Sequence, residues 1–246
     1  MTQSTVSGLT STIPPAITTE SNESAARLSS IDEFYRTGEV ILVDDFEAGL
    51  GGRWVMEAGG NVIGLSANFS YSGSNSLQVQ SPLAVNGRTV ATRSVIVNGN
   101  DVFGLQTKVC RLIAASTIDI VEVGLLVGNG NKNYTARWRF NDNLQQLFVL
   151  DGNNAWQAID SIRLPGSVAT VVAFSVVKLV VNTETGFYVK LLAGQKEYDL
   201  SAVQMPFTLD LSSDFDVVQL ELVSMSGDGI LVINYFDDVI LTRAES

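Results

Sequence analysis

Alternation of apolar and polar residues is the feature that most constrains how this chain folds. In the segment 134–140 every second residue is apolar, and the residues between them are one threonine and two arginines. A period of two is typical of a half-buried β-strand, and it places Trp138 on the buried side. About a dozen short segments of β character follow one another from residue 39, separated by turn sequences such as 128–131 and 226–229. The pattern predicts an all-β fold, an antiparallel sandwich of two sheets.

Residues 1–38 differ in composition from the rest of the chain. Ser, Thr, Asn and Glu dominate this stretch, and Pro14-Pro15 stiffens its middle. Because such a segment buries too little apolar surface to offset its ordering entropy, we expect a flexible polar N-terminal arm. Residues 39–246 are expected to form one sandwich domain, with the strands near Ile41 and Val239 side by side.

The charge of the chain disfavours two classes of partner. Fifteen Lys and Arg stand against 26 Asp and Glu, a formal net charge of −11. Nucleic acids and anionic lipids both attract cationic proteins, so we expect no nucleic-acid binding. No apolar run is long enough to span a bilayer, and residues 1–4 carry neither the basic nor the apolar region of a secretory signal. We therefore expect no membrane insertion and no signal peptide.

The absence of histidine excludes several kinds of catalytic site. The chain has no histidine and one cysteine, Cys110. A Ser-His-Asp triad, a Cys-His dyad and a His-bearing zinc site are therefore ruled out. Cys110 lies in a strand-like run, where a buried apolar role is expected. We predict that the protein is not an enzyme.

One short motif resembles an enzyme signature. Residues 117–122 (Thr-Ile-Asp-Ile-Val-Glu) resemble the catalytic strand of laminarinase-type glycoside hydrolases, which share a jelly-roll fold. Thr117 stands where that pattern has its nucleophilic Glu. Asp119 and Glu122 are three residues apart, so on a regular strand they face opposite sides. A retaining mechanism needs two carboxyl groups close together, and a strand with two surface acids is the interpretation we favour.

Two acidic segments resemble a known metal site. The segment 44–54 (Asp-Asp-Phe-Glu to Trp) opens the domain and the segment 235–241 closes it. They resemble carbohydrate-binding modules and related concanavalin-A-like and galactose-binding-like jelly rolls, in which such segments hold a structural calcium ion. The resemblance implies calcium as the one candidate cofactor, with ligands from both segments: Glu47, Asp238, Asp45 and Asp237. The alternative, solvated acids beside a buried core, stays open.

A glycan-binding role would need aromatic side chains on an open surface. Trp156, beside the turn 151–154, and Tyr188 are the candidates for stacking on a sugar ring. This interpretation makes the protein a carbohydrate-binding module, with glycans as partners.

The order of motifs over residues 35–242 resembles the jelly-roll structural proteins of tailed bacteriophages, of the capsid-decoration kind. The resemblance is carried by the segments 35–47, 71–77, 178–189, 197–201 and 237–242. It implies a virion protein of capsid or tail, made in the host cytoplasm, which assembles with other virion proteins and with itself as a homo-oligomer. In that case the arm 1–38 anchors it. A carbohydrate-binding module is the alternative, and a glycoside hydrolase is the third hypothesis.

Overall fold

A computed structural model describes residues 38–57, 59–97, 101–112, 119–162, 164, 166–167, 173–209 and 217–245. Nearly all of the predicted arm, residues 1–37, lies outside the described residues, as do residues 98–100, where the turn sequence Asn-Gly-Asn predicts a hairpin, and Thr117. All described residues belong to the compact unit Glu33–Ser246.

The described part of the chain contains strands and turns and no helix. In chain order the strands are β1 (Glu39–Asp44), β2 (Val55–Met56), β3 (Val62–Ser66), β4 (Ser76–Gln80), β5 (Gly87–Ile96), β6 (Val102–Leu112), β7 (Asp119–Asn129), β8 (Lys132–Asn141), β9 (Gln146–Leu150), β10 (Trp156–Ser161), β11 (Gly166–Ser167), β12 (Ser175–Asn182), β13 (Phe187–Ala193), β14 (Lys196–Asp199), β15 (Phe207–Leu209), β16 (Val217–Ser226) and β17 (Ile233–Arg243). The described residues therefore include no helix that is long and apolar enough to cross a membrane.

These strands form two sheets. The nine-stranded sheet has the order β14-β13-β12-β6-β17-β4-β3, with β1 paired to β17 and β11 paired to β6. The eight-stranded sheet has the order β10-β9-β8-β7-β16-β5-β2, with β15 paired to β8. Among the described strands the pairing is antiparallel except for the two-residue contact of β11 with β6. The predicted antiparallel two-sheet sandwich is confirmed.

The two ends of the domain are neighbours, as predicted. Strand β1 runs antiparallel to β17, with Asp44 opposite Val239 and Val43 opposite Ile240. Strand β17 is irregular between Asp237 and Ile240, and Asp238 there has a φ of 45°. Because of this bulge, Asp237 and Asp238 depart from the regular pairing of β17 with β6.

Alternation along the strands builds the core. In β8 the apolar residues Tyr134, Ala136, Trp138 and Phe140 all point between the sheets, and Trp138 is fully buried. In β7 the residues 121, 123, 125 and 127 do the same. Because side chains alternate across a strand, the residues between them lie on the outer face of the eight-stranded sheet. The predicted buried position of Trp138 is confirmed, and so is that of Cys110.

Candidate functional site

The outer face of the eight-stranded sheet carries two Arg–Glu pairs side by side. Arg139 of β8 lies directly opposite Glu122 of β7, and its guanidinium donates to the Glu122 carboxylate, with Nε 2.7 Å from Oε1. Arg137, two residues earlier, donates through Nε to Glu221 of β16 at 2.8 Å and approaches the same oxygen through Nη2 at 2.6 Å. Both glutamates are 2% exposed. Each buried carboxylate is therefore matched by a guanidinium.

Gly124 makes the second of these pairs sterically feasible. It lies on β7 between its two cross-strand partners, Arg137 on β8 and Glu221 on β16. A Cβ atom at this position would come within 2.8 Å of Arg137 Cγ and 3.2 Å of Glu221 Oε2. Because Gly124 has no side chain, Arg137 can reach across β7 to Glu221.

A third arginine joins the two pairs. Arg88 of β5 places its Nε 3.9 Å from Glu122 and its Nη2 3.7 Å from Glu221. Its Nη1 is 3.9 Å from Glu57, whose side chain is 42% exposed. The Arg88 Nη2 atom is buried and has no hydrogen-bond partner. Burial raises the pKa of Glu221, and the charges of Arg137 and Arg88 oppose that rise.

Trp156 extends this charged surface to the edge of the sheet. It begins β10 and is half-buried. The Arg139 guanidinium carbon lies 3.9 Å from the centre of its ring, within cation–π distance. From β10 to β5 the sheet order contains five strand spacings of about 4.8 Å, so the backbones of these two strands are about 24 Å apart, and the side chains reach toward one another over the strands between them. We call this set the polar row, and its members are Trp156, Arg139, Glu122, Arg137, Glu221 and Arg88.

Tyr188 does not lie on an open surface, where the glycan-binding prediction placed it. It lies in the core and is 1% exposed. Its hydroxyl donates to the Leu150 carbonyl at 2.7 Å and accepts from the Arg137 backbone N–H at 3.1 Å. A sugar ring has no access to a side chain in this position. Of the two aromatic candidates, the structure brings Trp156 alone to the outer face.

Asp119 and Glu122 face opposite sides of β7, as the spacing predicted. Asp119 points inward, 3.6 Å from Arg111, and is 6% exposed, while Glu122 is 2% exposed beside Arg139. The prediction of two surface acids was wrong, because arginine partners allow both carboxylates to be buried. Burial raises the pKa of Asp119 to about 7. The carboxylate that shares a face with Glu122 is instead Glu221, nearly a hundred residues away in sequence. Glu221 was not predicted as a site residue, although its alternating position in β16 marks it as outward-facing.

The two predicted calcium segments converge on one loop, residues 69–75. Glu47 accepts hydrogen bonds from the backbone N–H groups of Ser74 and Asn75 at 2.6 and 2.7 Å. Asp237 accepts from the N–H groups of Tyr71 and Ser72 at 2.6 and 3.1 Å. The first and last segments of the domain are thus attached to the same loop.

Of the other two candidate ligands, Asp238 also accepts a hydrogen bond from this loop, from the Ser72 hydroxyl. Asp238 Oδ2 lies 2.8 Å from the buried Lys108 ammonium, and Asp45 accepts from the Glu47 backbone N–H at 3.2 Å. Burial, and then the charge of Asp238, raise the pKa of Asp237 to about 7.

The donor set is oxygen-only, which suits calcium chemically. Within the described ranges, no three acidic or cysteine side chains lie close enough to share a metal ion. A calcium ion here would therefore need backbone carbonyl oxygens to complete its shell, and the ion stays a prediction.

Comparisons with known proteins place the fold. No protein-family model matches the chain, and no curated protein matches its sequence. A protein of unknown function with a galectin-like fold from Bacillus subtilis matches with 9% identity and a TM-score of 0.54, over 85% of this chain and 98% of that one. The cellulose-induced protein Cip1 matches with 15% identity and a TM-score of 0.51, over 82% and 96%.

A third match is the CBM22-1 xylan-binding domain from Paenibacillus barcinonensis Xyn10C, with 16% identity and a TM-score of 0.38, over 87% of this chain and 99% of that one. That score is too low to support an argument about function. At these identities the likeness concerns the fold alone, a jelly-roll sandwich that hosts many activities.

Proposed function

We propose that this protein is a non-catalytic carbohydrate-binding module, and that the polar row on the outer face of the eight-stranded sheet binds the glycan. The observation that carries the proposal is the contact between Trp156 and Arg139, next to two Arg–Glu pairs on one face. A sugar offers an apolar C–H face and many hydroxyl groups. Each hydroxyl both donates and accepts, so the exposed parts of the arginine guanidiniums can donate to it, while the buried glutamates hold those arginines in place.

The fixed geometry of the row supports binding. Arg137, Arg139 and Arg88 are held by carboxylates, and their side chains remain 20–31% exposed. Groups that are already oriented lose little conformational entropy when a ligand arrives. Binding on this face thus requires no rearrangement of the sheet.

The test of this proposal is a glycan array followed by titration calorimetry. The wild type is compared with Trp156→Ala and with Phe207→Ala, which removes an exposed aromatic ring from the edge strand β15. We expect Trp156→Ala to weaken binding at least about tenfold, which corresponds to 1.4 kcal/mol, and Phe207→Ala to leave it unchanged. Equal affinity of the Trp156 variant and the wild type would refute the proposed site.

A glycoside hydrolase is the second candidate, and one observation favours it. Glu122 and Glu221 lie on the same face, and burial raises the pKa of Glu221, as a general acid requires. Against catalysis, each carboxylate is hydrogen-bonded to an arginine, which stabilises the charged form. Glycan cleavage that disappears in Glu122→Gln would establish the hydrolase and overturn the non-catalytic proposal.

The virion role stays a prediction. Residues 1–37 of the predicted anchoring arm lie outside the described residues, and none of the three similar structures is described as a virion protein. The homo-oligomer and the location in a virion are likewise proposals from resemblance. A glycan-binding face is compatible with a host-attachment role in a virion. A gene neighbourhood with portal, capsid or tail genes would support that location, and its absence would argue against it.

A further inference from the structure

Strand β3 forms one edge of the nine-stranded sheet, and its outer side pairs with no described strand. It ends the strand order of that sheet, and its residues 62–66 pair with residues 76–80 of β4 in a regular register. In an antiparallel strand, alternate residues direct their N–H and C=O groups away from the neighbouring strand. Such an edge can pair with a further strand unless charges, prolines, bulges or a very short length prevent it.

Strand β3 has none of these protective features. It contains no charged residue and no proline. It lies in the segment 58–87, the longest stretch of the chain without Asp, Glu, Lys or Arg. The other described edge strands differ: β14 carries three charged residues, β1 and β10 are bulged, and β2 and β15 have only two and three residues. Strand β3 is therefore the least protected of the described edge strands.

The apolar core is open along this edge. Leu65 lies opposite Leu77 of β4, which is fully buried, so both side chains point between the sheets. Ile63, two residues earlier, points the same way and packs against the core. Leu65 is nevertheless 42% exposed. A strand added beside β3 would remove this inward-facing leucine from water.

The charge of the chain and the sequence of β3 both favour a second copy as the partner. Each copy has a formal net charge of −11, which opposes contact between two copies through their charged surfaces. The uncharged segment 58–87 avoids this repulsion. Two β3 strands that run antiparallel around Gly64 place Ile63 of each copy opposite Leu65 of the other, on the inner side of the sheet. The same edge is thus complementary to itself, as a two-fold interface requires.

We propose that two copies of this protein pair through β3, so that their nine-stranded sheets join into one continuous sheet about a two-fold axis. The outward backbone groups of β3 then hydrogen-bond to the other copy, and both Leu65 side chains are covered. The polar row lies on the other sheet, so this proposal does not depend on the proposed function.

The test is the molar mass of the full chain in sedimentation experiments over a range of concentrations. We expect the wild type to form dimers. Gly64→Lys and Gly64→Glu each place like charges directly opposite each other in the dimer, and we expect each to weaken dimerisation at least about fivefold. A Cβ at Gly64 meets nothing within 4 Å, so the monomer has room for both side chains. Leu209→Lys, at a 70% exposed position of β15, is the control and should dimerise like the wild type.

A mixture of the two Gly64 variants identifies the interface. Gly64→Lys and Gly64→Glu in equal amounts bring opposite charges together, so dimerisation should return to within about twofold of the wild type. A wild type that is monomeric at every concentration, or a dimer that neither variant weakens, would overturn the proposal. A monomeric wild type that binds a synthetic peptide of residues 60–68 would overturn it as well, because the edge would then accept extended segments of other proteins.

Discussion

Gly124 provides the sharpest test of the polar row, because its role is steric. We expect Gly124→Ala to force Arg137 away from Glu221, since the new Cβ would lie 2.8 Å from Arg137 Cγ and 3.3 Å from the Ala136 carbonyl oxygen. The backbone carbonyl belongs to a paired strand and cannot give way. Arg137 must therefore move, and Glu221, which is 2% exposed, would lose its closest partner.

The size of the effect follows from burial. Removing one partner of a buried ion pair costs about 3–5 kcal/mol. Because the Arg137 side chain is 22% exposed and Arg88 remains 3.7 Å from Glu221, about 1–3 kcal/mol is a more realistic loss. Replacing glycine also reduces the entropy of the unfolded chain, which returns about 0.4–1 kcal/mol. The midpoints of the two ranges give a net loss of about 1.3 kcal/mol, which corresponds to about 3–5 °C in melting temperature for a domain of this size.

The assay is urea unfolding together with glycan affinity, and Gly64→Ala is the control. Gly64 lies in β3, and a Cβ there would meet nothing within 4 Å. We expect the Gly64 variant to keep the affinity of the wild type and at least its stability, with a gain of about 0.4–1 kcal/mol from the lower entropy of the unfolded chain. If Gly124→Ala also retained the stability and the affinity, the missing side chain at Gly124 would not be what allows Arg137 to pair with Glu221. That result would refute the steric explanation.

Three further predictions concern charge. Arg139→Met leaves the buried Glu122 without its main partner, and because Arg139 is partly exposed and Arg88 stays 3.9 Å from Glu122, we expect a loss of about 1–3 kcal/mol in the free energy of unfolding by urea. A change below about 0.5 kcal/mol would contradict the pairing. The pKa of Asp119 is about 7 in the folded protein and 3.8 in the unfolded chain, because burial favours the protonated carboxyl group. Its contribution to stability is therefore complete below about pH 4 and is lost as the pH rises through about 7. Asp119→Asn should therefore gain stability relative to the wild type between pH 5 and pH 8, and a constant difference between the two proteins would exclude that titration. If the predicted calcium ion is bound, chelation with EDTA lowers the melting temperature. An unchanged melting temperature would show that the calcium prediction is wrong.

The sequence was sufficient to predict what depends on local alternation. The period of two in 134–140 placed Trp138 in the core and the two arginines of β8 on the outer face. The spacing of Asp119 and Glu122 placed them on opposite faces of one strand. These outcomes follow from the pleat of a single strand, so no knowledge of its partners was required.

The composition of the site could not be predicted in the same way. Glu221 meets Arg137 across Gly124 because β16, β7 and β8 pair in one register, and that register joins residues 84 positions apart. Tyr188 was expected at the surface, yet it faces inward beside an irregularity in the β12–β13 ladder, opposite Val181. Pairing partners and bulges are properties of the whole sheet, and alternation within one strand does not reveal them.

The central claim, that a glycan binds along the polar row, is tested most directly by the indole N–H signals of the three tryptophans. Trp54 is buried with its indole N–H bonded to Asp44, and Trp138 is buried in the core, so both serve as internal references. On titration with the tightest-binding glycan of the array, we predict that the Trp156 indole signal shifts and saturates while the other two stay in place. Saturable binding that leaves the Trp156 signal unmoved would contradict the claim.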